Sequence, residues 1–152
     1  MDVAGYFYNP NIHPLTEFQK RLATLESFAN VSQLPLVMDR EYNLEEFLTG
    51  ALNKGKDRCL FCYRMRLEKA FQKAADDRAD AVTTTLLYSK FQRHDTIKEI
   101  GEELADIFRV KFLYRDFREG WKEGVVESKK AGMYRQQYCG CIFSERDRYK
   151  ES

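Results

Sequence analysis

The sequence predicts an α/β fold, a mostly parallel sheet flanked by helices, built from 152 residues as one domain. Its elements supply the first argument. Short apolar or β-branched runs alternate with stretches whose apolar residues recur every three or four positions. Such alternation gives parallel strands joined by right-handed helical crossovers. The second is composition: 43% hydrophobic and 32% charged residues with a net charge of +1 can bury a core, which excludes a disordered tail.

Taken in order, Val3 to Tyr8 reads as a short buried strand closed by the turn residues Asn9-Pro10-Asn11. A helix follows from about Pro14, because Leu15, Phe18, Leu22, Leu25 and Ala29 share one face and proline suits a first helical turn. Leu36-Val37-Met38 is the second strand. Leu44, Phe47, Leu48, Ala51 and Leu52 mark a short helix with Asn43 as its cap. Tyr63, Leu67, Ala70, Phe71 and Ala74 outline a longer helix that starts near Cys59.

Ala81 to Leu87 is β-branched and apolar, as expected of a strand buried on both faces. Ile97, Ile100, Leu104 and Ile107 predict a helix capped by Asp95, and Lys111 to Tyr114 a fourth strand. Beyond Asp116 the chain is helical through Trp121, Val125 and Ser128, then a loop around Gly140, with a short helix beyond Ser144. No internal repeat or low-complexity linker divides it.

The longest unbroken apolar run, Cys59 to Tyr63, is far short of the ~20 residues that span a bilayer, and no signal stretch opens the chain. A cytoplasmic protein with no membrane partner is the expectation. Charge is unevenly placed: residues 1–108 carry 14 basic and 17 acidic side chains, residues 109–152 carry 11 and 7. A basic excess toward the end of the chain suits either an ordinary solvated surface or a rim facing a polyanion.

The four cysteines fall as two tight pairs, Cys59-x-x-Cys62 and Cys139-Gly140-Cys141. In a reducing compartment, thiols this close bind metal or do redox chemistry. At the first turn of a helix, Cys59 and Cys62 place both sulfurs on one face, within reach of one metal. Consecutive Cα atoms lie about 3.8 Å apart, so Cys139 and Cys141 reach disulfide distance only if the backbone bends, which Gly140 permits. A strained small ring is easily reduced, as catalytic disulfides are. Pooling all four thiols in one structural zinc site is the competing arrangement, and spacing alone leaves both open.

Three loops follow strand ends, where open α/β sheets build ligand sites: Asn9 to Pro14 with His13, Thr83 to Ser89, and Asp116-Phe117-Arg118. Tyr134-Arg135-Gln136-Gln137-Tyr138 leads into the second cysteine pair, an interleaving that suits base stacking and phosphate contact as well as a plain polar surface.

Together these segments resemble the cobalamin-independent epoxyqueuosine reductase family (QueH). The resemblance is carried by Tyr6-Phe-Tyr-Asn-Pro-Asn-Ile-His-Pro14, by Cys59-Leu-Phe-Cys-Tyr-Arg-Met-Arg-Leu-Glu68 with Ala70, and by Thr83-Thr-Thr-Leu-Leu87 with Ser89. It continues through Phe112-Leu-Tyr-Arg-Asp-Phe-Arg118 with Gly120, then Ser128-Lys129, Gly132, Tyr134-Arg-Gln136 and Tyr138-Cys-Gly-Cys-Ile-Phe-Ser144. These blocks span nearly the whole chain in order.

The resemblance implies a Rossmann-like fold and the last step of queuosine synthesis, reduction of the epoxide of epoxyqueuosine in tRNA by an oxidoreductase. It implies a 4Fe–4S cluster with Cys59 and Cys62 as two ligands, and Cys139 and Cys141 as a redox-active pair. Asp116 or His13 is the candidate proton source. Asn9, Asn11, Arg118, Arg135 and Gln136 are candidates for holding tRNA, and an unidentified electron donor completes the reaction. Family members begin with a further, central strand ending in two adjacent cysteines, expected to supply the other cluster ligands. Without it Met1 reads as an internal methionine and the chain as an incomplete reductase. The alternatives are an inactive truncated reductase, a non-enzymatic RNA- or protein-binding domain with a structural four-cysteine zinc site, or an ATP-dependent tRNA-modifying enzyme.

Overall fold

The structure, a computed structural model, describes residues 1–150. They form two compact units, residues 1–50 with 130–150 and residues 51–129. The α/β class and the parallel pairing expected from the sequence are both present, with the strands divided between two two-stranded sheets.

In the first unit, β1 (Gly5–Phe7), α1 (Leu15–Ser32) and β2 (Leu36–Met38) make one parallel crossover, Gly5 opposite Leu36 and Phe7 opposite Met38. β1 is shorter at both ends than the expected 3–8 run. A Cβ at Gly5 would come within 2.9 Å of Leu36 Cδ1, so the missing side chain lets β2 close on β1. The helix reading of α1 holds: Phe18, Leu22 and Ala29 are buried, while Leu15, at its first residue, stays exposed. Phe7, Ile12, Phe18 and Leu22 form a small core with Leu25, Met38 and Tyr42 against it. α2 (Leu44–Lys54) follows, with Phe47 buried, and the Asn43 side-chain amide donates to Glu41. The helix α6 (Ile142–Tyr149) starts at Ile142 rather than beyond Ser144.

In the second unit, α3 (Arg58–Asp76) buries Tyr63, Leu67, Phe71 and Ala74 in the periodicity read from the sequence. They pack with Ile97, Ile100 and Leu104 of α4 (His94–Phe108) and with Val82, Leu86, Leu87 and Val110 in the larger core. β3 (Ala81–Val82) pairs with β4 (Lys111–Phe112), Val82 opposite Phe112. Gly101 of α4 makes room for this pairing, since a Cβ there would lie 2.3 Å from the Phe112 ring.

Several expectations are corrected here. The 81–87 strand ends after two residues, because the Thr84 hydroxyl accepts the Leu86 N–H and folds Thr85–Tyr88 into a 3-10 turn. That turn buries Leu86 and Leu87, which is why the segment is apolar without being extended. Asp95 lies in the first turn of α4 rather than at its cap, where Arg93 stands, and Ile107 is exposed. The chain after Asp116 makes a 3-10 turn at Phe117–Gly120 before α5 (Trp121–Lys130). Among the described residues, no helix is long and apolar enough to cross a membrane.

Candidate redox site

The loop after β1 carries His13 inward. Its side chain is 1% exposed, and each hydrogen-bonding group of the residue is occupied. The ring Nε2–H donates to the Pro10 carbonyl at 3.0 Å, and Nδ1 accepts the Ile142 N–H at 3.2 Å. The His13 N–H donates to the Gly140 carbonyl at 2.8 Å, and its carbonyl accepts the Tyr138 hydroxyl. Burial lowers the imidazole pKa, the Pro10 contact opposing it, and the Ile142 donor fixes the proton on Nε2. His13 is therefore a neutral spacer between the 9–14 loop and residues 138–142.

α1 holds the same segment from another side. Arg21 Nη1 donates to the Cys139 carbonyl at 2.9 Å and Nη2 to the Tyr138 carbonyl at 2.8 Å. Its Nε donates to Glu17 at 2.8 Å, both side chains about one-tenth exposed. The other Glu17 oxygen accepts the Tyr134 hydroxyl at 2.7 Å. Burial first, and the Glu17 carboxylate second, push the Tyr134 phenol up to about 12, so it remains a donor. Tyr138 is likewise held at about 12, and Arg21 lies over its ring at 5.4 Å. The two tyrosines that the sequence offered for base stacking have their hydroxyls turned to internal use.

Gly140 sits at φ +127°, a conformation that L side chains rarely adopt, and a Cβ there would meet Ile12 at 3.0 Å and Arg21 at 3.1 Å. Cys139 is exposed, and Cys141 is half-buried at the cap of α6. The bonds that His13 and Arg21 make to residues 138–142 run to backbone groups or to the Tyr138 hydroxyl. Asn11 is buried with its Oδ1 unpartnered, and its Nδ2 would lie 3.4 Å from a Cβ on Gly140. Asn9 gives its carbonyl to the Ile12 N–H, and Arg135 and Gln136 are exposed on the approach to Cys139.

Cys59 and Cys62 occupy the first turn of α3 in the second unit, the first exposed and the second half-buried. Among the described residues no disulfide joins any of the four cysteines, and no three His, Cys, Asp or Glu side chains gather as a metal-binding group. Next to Cys62, the Tyr63 hydroxyl donates to Gln92 at 2.6 Å and accepts the Arg93 N–H at 3.1 Å.

Asp116 is closed on itself by the Arg118 fork, at 2.8 Å from Nε and 2.6 Å from Nη2, with the Arg118 N–H as a third donor. These bonds hold its carboxyl well below the usual carboxylate range. The 3-10 turns Thr85–Tyr88 and Phe117–Gly120, from two of the three loops singled out by sequence, pack together within the second unit, and Tyr88 stacks on Trp121 of α5 at 5.1 Å. The residues that sequence reasoning missed are Glu17 and Arg21, whose only signal was their four-residue spacing on α1.

Comparison with known proteins bears on this arrangement. The family model described as "Epoxyqueuosine reductase QueH" matches residues 1–147. A Thermotoga maritima protein named epoxyqueuosine reductase QueH is 39% identical over 153 residues, covering 94% of this chain and 79% of the relative. A Dehalococcoides mccartyi protein of the same name is 33% identical over 147 residues, covering 97% and 81%.

Proposed function

This chain belongs to the epoxyqueuosine reductase QueH family, and on that premise we propose that it reduces the epoxide of epoxyqueuosine in tRNA to the alkene of queuosine. Both C–O bonds of the epoxide break, a C=C bond forms, and the oxygen leaves as water. That change consumes two electrons and two protons. A dithiol passing to a disulfide releases the same two electrons and two protons, and Cys139 and Cys141 are the pair assigned to this role.

One observation carries the assignment: the backbone around Cys139-Gly140-Cys141 is fixed by His13 and Arg21 through bonds to its main-chain groups. A loop held this way keeps both thiols on one short bend at Gly140, whose φ of +127° only glycine readily adopts. His13 and Asp116, the proton sources suggested by sequence, fit poorly. Both ring nitrogens of His13 are engaged, and Arg118 keeps Asp116 ionised. The thiols are the better source.

Cys59 and Cys62 fit two ligand positions of a 4Fe–4S cluster, the remaining ligands coming from elsewhere; bound there, the cluster would supply electrons. In this reading the exposed Arg135 and Gln136 meet the tRNA backbone, and Asn9 and the buried Asn11 remain the further candidates for holding substrate. Arg118 is a weaker candidate because its fork is taken by Asp116. An external electron donor returns the disulfide to the dithiol.

Cys139→Ser and Cys59→Ser separate the two roles. The first is expected to abolish epoxide reduction while leaving iron and sulfide content unchanged, and the second to lower that content. Full turnover by Cys139→Ser would remove the relay role.

A further inference from the structure

Phe91 is a large ring left 80% exposed on a loop that is otherwise tightly held. Its own N–H donates to Ser89 Oγ at 3.2 Å, and Ser89's carbonyl is bonded by the buried His94 ring at 2.9 Å. The next two residues, Gln92 and Arg93, are pinned by the Tyr63 hydroxyl. Behind Phe91, Trp121 meets it edge-on at 6.0 Å and 82°. Trp121 is in turn backed by Tyr88, whose hydroxyl donates to the Trp121 carbonyl at 3.2 Å. Tyr88 reaches that position only because Gly124 lacks a side chain, since a Cβ there would lie 2.1 Å from the Tyr88 oxygen. Lys90 holds its ammonium 5.2 Å from the Trp121 centroid and 6.0 Å from that of Phe91.

We propose that Phe91 is a stacking platform for an unpaired RNA base, braced by Trp121 and Tyr88, with Lys90 meeting the adjoining phosphate. Base–aromatic stacking needs an accessible π-face, and its accompanying phosphate needs a cation near that face. Phe91 and Lys90 supply both. Hydrogen bonds through Tyr63 tie the residues after Phe91 to α3 at the position that follows Cys62. This inference rests on the tRNA-reductase reading and names the protein surface that grips an unpaired nucleotide.

Trp121 is the only tryptophan, so its emission reports the site directly. The probes are an RNA hairpin with an unpaired loop and a fully paired RNA duplex of the same length. The hairpin is expected to change Trp121 emission and the duplex to bind more weakly. Phe91→Ala should weaken hairpin binding by about tenfold, and Phe91→Tyr should restore it because the ring is kept. Lys90→Gln should flatten the salt dependence. Hairpin binding by Phe91→Ala within about twofold of wild type overturns the platform, as does equal binding of the duplex. Epoxide reduction on tRNA distinguishes this failure from failure of the enzyme reading. Turnover with an unchanged KM in Phe91→Ala rejects the platform and keeps the reductase. The expected hairpin pattern without any turnover keeps the platform and rejects the reductase.

Discussion

Arg21, on α1, donates one guanidinium hydrogen bond to the Cys139 carbonyl and another to Tyr138, while its third edge is paired with Glu17. A single planar fork therefore joins a helix to the peptide unit of Cys139, the first thiol of the proposed redox pair. Only arginine has the donors to satisfy three acceptors in one plane.

Arg21→Ala is expected to cost roughly 3 kcal/mol of stability, because it strands a Glu17 carboxylate that is about one-tenth exposed. Arg21→Lys should keep the charge but lose the fork, lowering kcat more than it raises KM. Urea denaturation and steady-state kinetics on the two variants check this. An Arg21→Lys enzyme with wild-type kcat would show that the fork is dispensable.

His13 gives the protein an acid-sensitive joint. Its pKa is lowered in the folded state from an ordinary 6.5, so below that value the unfolded chain binds a proton that the folded chain refuses. Stability should therefore be fully present above about pH 6.5 and fall on acidification toward the depressed folded value. Denaturation midpoints measured across that window should decline less steeply in His13→Gln. Parallel curves would place the sensitivity elsewhere.

Gly140→Ala places a Cβ at φ +127°, against Ile12 and Arg21. A cost of roughly 1–3 kcal/mol is expected, with slowed turnover, because the loop must leave the clamped geometry. Thermal unfolding and a single-turnover assay measure the two effects. Unaltered values in both would mean that the loop relaxes freely.

Gly101→Ala sets two magnitudes against each other. Alanine gains about 1 kcal/mol of helix propensity over glycine in α4. Overpacking against the Phe112 ring, 2.3 Å from the new Cβ, costs about 1–3 kcal/mol. Net destabilisation is the expected result in urea, and a Gly101→Ala protein more stable than wild type would show that Phe112 moves aside.

The helices were legible because their cores repeat: Tyr63, Leu67, Phe71 and Ala74 announce α3, and Ile97, Ile100 and Leu104 announce α4. The 81–87 segment was not, since burial demands apolar residues in a 3-10 turn as much as in a strand, and the deciding contact is one Thr84 hydroxyl. The cysteine pairs stood out by spacing. Arg21 and Glu17 did not, because their partners, Tyr134, Tyr138 and Cys139, lie more than a hundred positions away. His13 was visible as a residue, but its role depends on the Ile142 N–H, which only the fold brings to it.

The most direct test is a single turnover of pre-reduced protein on tRNA carrying epoxyqueuosine, with thiols alkylated at intervals and peptides mapped by mass. One Cys139–Cys141 disulfide formed for each queuosine produced is the result expected here. Queuosine formed while both thiols remain open to alkylation would contradict it.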